Sequence, residues 1–552
     1  MSRETPQAEH RSEEPPVPSA SSVQAVTRQT PPFLAAHAGW AGILVLALVW
    51  RLLGITTTEV WRDEATTIIH TYGGWLDLML RLPRIEDTPP LGFLLFKAWA
   101  TISREEWFLR LLPVLLGTAW VDVIMRTARL IHPRAWWPAG LLAAFSHMPI
   151  HFSQEIRSYA LLTLLTALCF WAVERSLAAK SPRPWLFALA VFGAMTAHSH
   201  MAGVFVFPAV VLYLLIRAGG RWRDVAHVGP LALWVLLILP LVWFARYWSN
   251  FHQTTALDAW WVPPITLNRA RYIAERFFGL DVLRTWSLSE QTTWATWLSF
   301  AAERVVLLGS ALLTALGLTD ERTRRPVAAF AAALAAFLAA MYVSGLLTLP
   351  NMLDRTLLPA WTPVVLGLGA AAASSRVSWA RPVCAVTVVV MAALWAASWV
   401  WQAQAGPPRR PPAEELFGWM RSNISPNDLV YSTPRWYKEN TVYYLMDTIA
   451  ADQLLDEFDA YRGKPMRHRL AIANPREWPE RFASKLRAHR ERYGDDFSIW
   501  IVWWAGIRTS GPDAPEHLIL SGMREVDRRE IFATWPLSIV RYRPEPPASR
   551  PE

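Results

Sequence analysis

Long apolar blocks, rather than an alternating or helical period, organise this chain. Stretches such as 40–50 and 327–343 are nearly continuous in Ala, Val, Leu, Ile, Phe and Trp. An unbroken apolar run approaching about 20 residues is what a helix needs to cross about 30 Å of hydrocarbon. Reading the blocks in this way predicts spans near 38–57, 108–130, 135–151, 158–178, 184–198, 200–217, 227–247, 297–317, 326–346, 355–373 and 381–402. The fold class expected is a polytopic α-helical membrane protein of about 11 spans. The connectors after the even-numbered spans are short and basic: Arg126/Arg129/Arg134, Arg175/Lys180/Arg183, Arg217/Arg221/Arg223, Arg322/Arg324/Arg325 and Arg376/Arg381. Positive charge marks the cytoplasmic side, so the amino terminus is expected inside and the segment after the last span outside. The apolar run 89–101 is too short to cross, reaching only about 20 Å as a helix, and it contains Lys97. It is expected to lie in the outer interface.

The pattern changes at both ends. Residues 1–37, rich in Pro, Ser, Gln and Glu, are expected to form a disordered cytoplasmic tail. No apolar h-region with a cleavage site opens the chain, so the first span is expected to direct insertion. After the membrane part (38–403), a Pro-Arg-Pro linker at 407–412 leads into alternating segments. Helices are expected at 414–421 and 477–493, and strands at 428–432, 497–504, 525–533 and 537–542. Together they predict an extracytoplasmic α/β domain over 404–552.

Composition narrows the function classes. Hydrophobic residues make up 53% of the chain and charged residues 18%, a balance that excludes an ordinary soluble domain. The formal charge of +9 is spread over short loops, so no nucleic-acid partner is expected. Many of the 32 tryptophans stand near span ends, where indole anchors to the interface. Cys169 and Cys384 both fall inside spans, and no CxxC spacing suggests a metal.

Candidate chemistry gathers on the expected outer face. Just past the first span stands Trp61-Arg62-Asp63-Glu64-Ala65, two adjacent carboxylates that can ionise at the surface but only at high cost in hydrocarbon. The same face receives Ser153-Gln154-Glu155-Ile156-Arg157-Ser158-Tyr159, His198-Ser199-His200 and Asn351-Met352-Leu353-Asp354-Arg355. It also receives a loop, 248–296, with Trp260-Trp261-Val262-Pro263-Pro264 and an amphipathic helix near 269–278. Guanidinium groups meet phosphate oxygens in a bidentate fork, which makes Arg157 and Arg355 candidate phosphate ligands. Pairing with Glu155 or Asp354, or snorkelling to head groups, is the structural alternative. His198 and His200 can reach a phosphate, ligate a metal with a carboxylate, or serve as plain interfacial polar residues. Gln154 and Tyr159 can hydrogen-bond a substrate or cap the next span.

The acidic pair, the Pro-Pro-Leu segment at 89–91, the Arg-Leu-Leu-Pro entry at 110–113 and the Ser-Gln-Glu-x-Arg-x-Tyr turn together resemble the GT-C fold glycosyltransferases that use polyprenyl-phosphate sugars. The likeness is to bacterial protein O-mannosyltransferases and aminoarabinose transferases. It implies an inverting sugar transfer at the outer face of the inner (cytoplasmic) membrane, from a polyprenyl-phosphate donor to an envelope glycan, lipid or protein acceptor. Membrane lipids would be further partners. Asp63 matches the family's catalytic carboxylate and Glu64 its second acid, which would position the acceptor or brace a loop. An ordinary aspartate, with a pKa of about 3.9, is ionised at neutral pH and can act as base. Glu155 would join Gln154 and Tyr159 in positioning substrate. Some relatives use a divalent cation, which Asp63, Glu64 and Glu155 could hold, but no cofactor or obligatory metal is expected. The sequence departs from the aminoarabinose transferases at Glu86-Asp87-Thr88-Pro89, where a lysine precedes the proline; Lys97 or Arg84 would have to substitute. A transporter or lipid flippase, or a non-catalytic envelope scaffold, is the alternative. The few charges inside spans, chiefly Asp122, argue against transport, because transporters place substrate residues near mid-bilayer.

Overall fold

A computed structural model describes residues 33–56, 59–86, 88–221, 228–252, 266, 268, 293–347, 352–374, 378–404, 413–433, 438–445, 447–448, 478–504, 522–531 and 537–545. Most of the 1–37 tail, most of the 248–296 loop including its aromatic and amphipathic motifs, Asp87, Asn351 and the 407–412 linker lie outside the described residues.

Helices run through the first three quarters of the chain. They are α1 (Phe33–Leu52), α2 (Arg62–Thr71), α3 (Trp75–Ile85), α4 (Pro90–Trp99), α5 (Glu106–Ile131), α6 (Trp136–Phe145), α7 (His147–Phe152), α8 (Tyr159–Ala178), α9 (Arg183–Ser199), α10 (Val206–Ala218), α11 (Val228–His252), α12 (Thr293–Thr319), α13 (Glu321–Leu347), α14 (Leu358–Ala372) and α15 (Ala380–Gln404). Short 3-10 turns, Met201–Phe205 and Arg355–Leu357, lead into α10 and α14. Among the described residues, six helices are long and apolar enough to cross a membrane: Glu106–Ile131, Tyr159–Ala178, Met201–Ala218, Ala301–Thr319, Glu321–Leu347 and Ala380–Val400.

The bundle is fastened by polar contacts where helices must not slide. In the interior Trp120 of α5 donates to Thr362 of α14 at 3.2 Å. Near the ends that carry the basic connectors, Glu174 of α8 accepts from Tyr213 (2.6 Å) and from both sides of the Arg217 fork (2.7 and 2.8 Å) on α10. Asp122 is paired along its own helix with Arg126 at 2.6 Å. Arg51 of α1, fully buried, donates to the carbonyls of Ala143 and Ala144 (both 3.3 Å). A cation there meets the negative end of α6.

Between α1 and α5 the chain folds as three short helices. The run expected to lie in the interface forms α4, which buries Gly92, Phe93, Phe96 and Lys97 where α2, α5 and α9 pack against it. The exposed apolar stripe of this connector belongs to α3, which buries Leu78 and Leu82 and presents Trp75, Leu76, Met79 and Leu80.

The carboxyl-terminal segment holds α16 (Ala413–Asn423), β1 (Leu429–Thr433), α17 (Lys438–Leu445), α18 (Trp478–Tyr493), β2 (Ile499–Trp504), β3 (Met523–Ile531) and β4 (Leu537–Pro544). The sheet has the order β1-β2-β4-β3, with β1 parallel to β2 and the other pairs antiparallel. Its β2 strand is Ile499-Trp500-Ile501-Val502-Trp503-Trp504, and a buried sheet interior suits such an apolar run. β3 is an edge strand rich in charge, which blunts pairing with other chains. Helix and strand positions follow the sequence pattern closely; α17 was not anticipated.

Candidate active site

The acidic pair opens α2, where negative charge is favoured by the helix dipole. Glu64 folds back to accept the backbone N–H of Trp61 at 2.9 Å, satisfying a donor that the helix start would otherwise leave bare. The same carboxylate takes both arms of the Arg110 fork, Nε and Nη2 each at 3.1 Å, and the backbone N–H of Ile156 at 3.1 Å. Both side chains are 0% exposed. Arg110 also donates to the Ile55 carbonyl at 2.8 Å and pairs with Glu106 at 2.6 Å. Glu64 therefore ties together the end of α1, the start of α2, α5 and the turn before α8.

One residue earlier, and about 100° around the helix, Asp63 faces elsewhere. Its Oδ2 accepts from Arg355 at 3.0 Å, with side-chain exposures of 17% and 27%. Arg355 opens the 3-10 turn before α14, its own N–H held by Asp354 at 3.0 Å. Asp354 thus caps the turn, and the guanidinium reaches the catalytic candidate. Arg157 arrives from the turn before α8. It donates to the Asp63 carbonyl and the Thr67 hydroxyl, both at 3.3 Å, and to Thr88 at 3.4 Å. Its guanidinium lies 5.5 Å from the Phe93 ring centroid and 3.8 Å from Glu86. Two arginines from distant parts of the chain converge on the first turn of α2.

The other candidates are placed around this centre. Tyr159, buried, contacts the rings of Phe152 and His200, with centroids 5.0 and 5.6 Å away. His200 accepts the Ala202 N–H at 3.1 Å. His198 bonds the Leu237 carbonyl on α11 at 2.8 Å. Gln154 donates to the carbonyls of Arg51 (2.9 Å) and Leu53 (2.6 Å), closing the end of α1. Glu155 lies 3.5 Å from His151. The structure thus brings Asp63, Arg157 and Arg355 together. Gln154, Glu155 and His198 bond to other partners. Lys97, offered as a substitute for the missing lysine, donates to the carbonyls of Thr71 (2.9 Å) and Gly73 and closes the end of α2. At the divergent segment Thr88 and Glu86 meet Arg157 instead.

Sequence reasoning gave no role to Arg110, Thr67, Thr88 or His151. Arg110 carried a usable signal, a charge one turn after Glu106 and ahead of the apolar run that follows it to Val121. Tyr443 of α17 comes close to the Arg110 cluster. Burial raises its phenol above the ordinary range, Glu106 adds to this, and Arg110 opposes it. Among the described residues no three His, Cys, Asp or Glu side chains gather as a metal site requires. Asp63, Glu64 and Glu155 each face a different cationic or histidine partner.

Comparison with known proteins bears on this geometry. The model of the dolichyl-phosphate-mannose-protein mannosyltransferase family matches residues 87–248. The structure of ArnT from Cupriavidus metallidurans in the apo state superposes with a TM-score of 0.56 at 13% identity, covering 92% of this chain and 98% of that one. The same protein bound to undecaprenyl phosphate gives 0.55 at 12% identity with the same coverage. This chain has the ArnT fold. The resemblance to the GT-C, polyprenyl-phosphate-dependent glycosyltransferases is thus carried both by sequence, over 87–248, and by fold, over nearly the full chain. No curated protein matches the sequence.

Proposed function

We propose that the chain is a membrane glycosyltransferase that moves a sugar from a polyprenyl-phosphate donor to a hydroxyl or amine of an envelope acceptor. The observation that carries this reading is the Asp63 carboxylate, partly open to solvent and 3.0 Å from Arg355, with Arg157 on the same turn. In the reaction Asp63 takes the acceptor proton and the freed electron pair forms a bond to the anomeric carbon. The bond from that carbon to the phosphate oxygen breaks, and its electron pair leaves with the lipid phosphate. Attack opposite the leaving group inverts the configuration. Arg355 and Arg157 receive the charge growing on the phosphate, where preorganised donors give the largest benefit. Until donor binds, the Asp63–Arg355 pair holds both groups in place.

Glu64 braces the turn instead of reacting, since both its oxygens are occupied in a buried network. Gln154 and His198 hold the surrounding backbone, Glu155 pairs with His151, and Tyr159 packs on His200. The chemistry needs no obligatory metal. ArnT has been seen bound to undecaprenyl phosphate, which supports a lipid phosphate as leaving group here. The reading places about 11 spans in the cytoplasmic membrane, the amino terminus inside and residues 404–552 outside as an α/β domain.

Arg355→Ala and Arg157→Ala are each expected to raise the KM for polyprenyl-phosphate sugar and lower turnover. Lysine at either position restores activity only in part, because the planar fork is lost. Unchanged donor KM and turnover in both alanine variants would place the phosphate elsewhere.

A further inference from the structure

The helix that bears Asp63 is only 10 residues long, too short to be stable alone in water. Its position must come from what packs on it. Asp63 and Thr67 lie on one face, toward Arg355 and Arg157. Glu64 and Ile68 lie on a second, toward Arg110 and the cluster with Phe96, Leu109 and Leu112. The third face belongs to the carboxyl-terminal segment. Ile69 is buried in one core with Phe417, Met420, Trp500, Val502 and Ile539, and Trp61 packs against the same core.

Two hydrogen bonds fix the residues just before the helix. Asn440 of α17 donates to the Val60 carbonyl at 2.8 Å. Tyr444, stacked on Phe417, donates to the Glu59 carboxylate at 2.7 Å. Asn440 and Tyr444 are both buried, so these contacts are built into the interior.

We infer that α17 is a positioning element for the Asp63 helix, with Asn440 and Tyr444 as its positioning residues. The inference rests on the transferase reading only in what the positioned carboxylate does. The carboxyl-terminal segment thereby completes the site by holding the start of α2 at the register where Asp63 meets its arginines. A displacement near 1 Å at a reacting group can cost about 100-fold in rate, so loosening this end acts on turnover more than on donor binding.

The test uses the full-length protein with Asn440→Ala, Tyr444→Phe, Glu59→Ala and the Glu59→Ala/Tyr444→Phe pair. A spin label is placed at Thr66→Cys in a background with Cys169 and Cys384 replaced by alanine. We expect a more mobile label in Asn440→Ala and Tyr444→Phe, and a fall in kcat of about tenfold or more with donor KM unchanged. The double variant should be no worse than the weaker single, because both substitutions remove one interaction. An unchanged label spectrum in both variants would overturn the inference, as would a changed spectrum with kcat intact. If the wild type transfers no sugar while the label still loosens, the transferase reading falls and the positioning of α2 by α17 stands.

Discussion

Two carboxylates adjacent in sequence occupy opposite electrostatic situations. Glu64 is enclosed with Arg110, and such a pair is costly to break because the surviving charge stays buried. Removing one partner typically costs about 3–5 kcal/mol. Glu64→Ala is therefore expected to lower the unfolding midpoint of the purified protein sharply. An unchanged midpoint would mean that the Arg110 network does not hold the fold. Asp63, by contrast, shares a partly solvated pair with Arg355, and its substitution should spare stability. The chain order announces an acidic pair but not this division of labour. Arg110 stands 46 positions away and the Ile156 N–H 92, and only the folded arrangement decides which carboxylate they take.

At the level of elements, the arginine turn is seated on α4 through Gly92. A Cβ at this position would meet the Ser158 Cβ at 2.5 Å, so Gly92→Ala must push α4 away from the turn that carries Arg157. Overpacking of this kind costs about 1–3 kcal/mol, and the shift should lower transfer further by misplacing the guanidinium. Gly418→Ala, where the added methyl meets only ordinary contact at 3.7 Å, serves as the comparison and should lower neither property, since alanine favours the helix. Equal behaviour of the two variants would contradict the seating of the turn on α4. The long helices were legible because a bilayer imposes a length on apolar runs, and the strands because β-branched and aromatic residues cluster between turns. A short element can escape for the same physical reason. The run of α4 was legible as a helix too short to cross, but not which of its residues are covered. The eight residues of α17 are too few to show a period, and their role depends on a partner helix nearly four hundred positions earlier.

Across the whole molecule, the basic connectors and the polar turns alternate along the chain. Placing them on opposite membrane faces brings 61–65, 153–159 and 354–355 to one side, together with the segment that packs on α2. The contacts of Asp63 with Arg157 and Arg355 join three of these regions, an assembly that the positive-inside pattern anticipates but that only tertiary packing builds. The account turns on whether this assembly transfers sugar through Asp63. The decisive measurement is the rate at which purified wild type and Asp63→Asn move a labelled sugar from a polyprenyl-phosphate donor to acceptor, with unfolding midpoints recorded alongside. Since a general base contributes roughly 100-fold or more, Asp63→Asn should lose transfer almost entirely while unfolding at the same temperature. A variant that retains more than about a tenth of wild-type turnover would contradict Asp63 as the base.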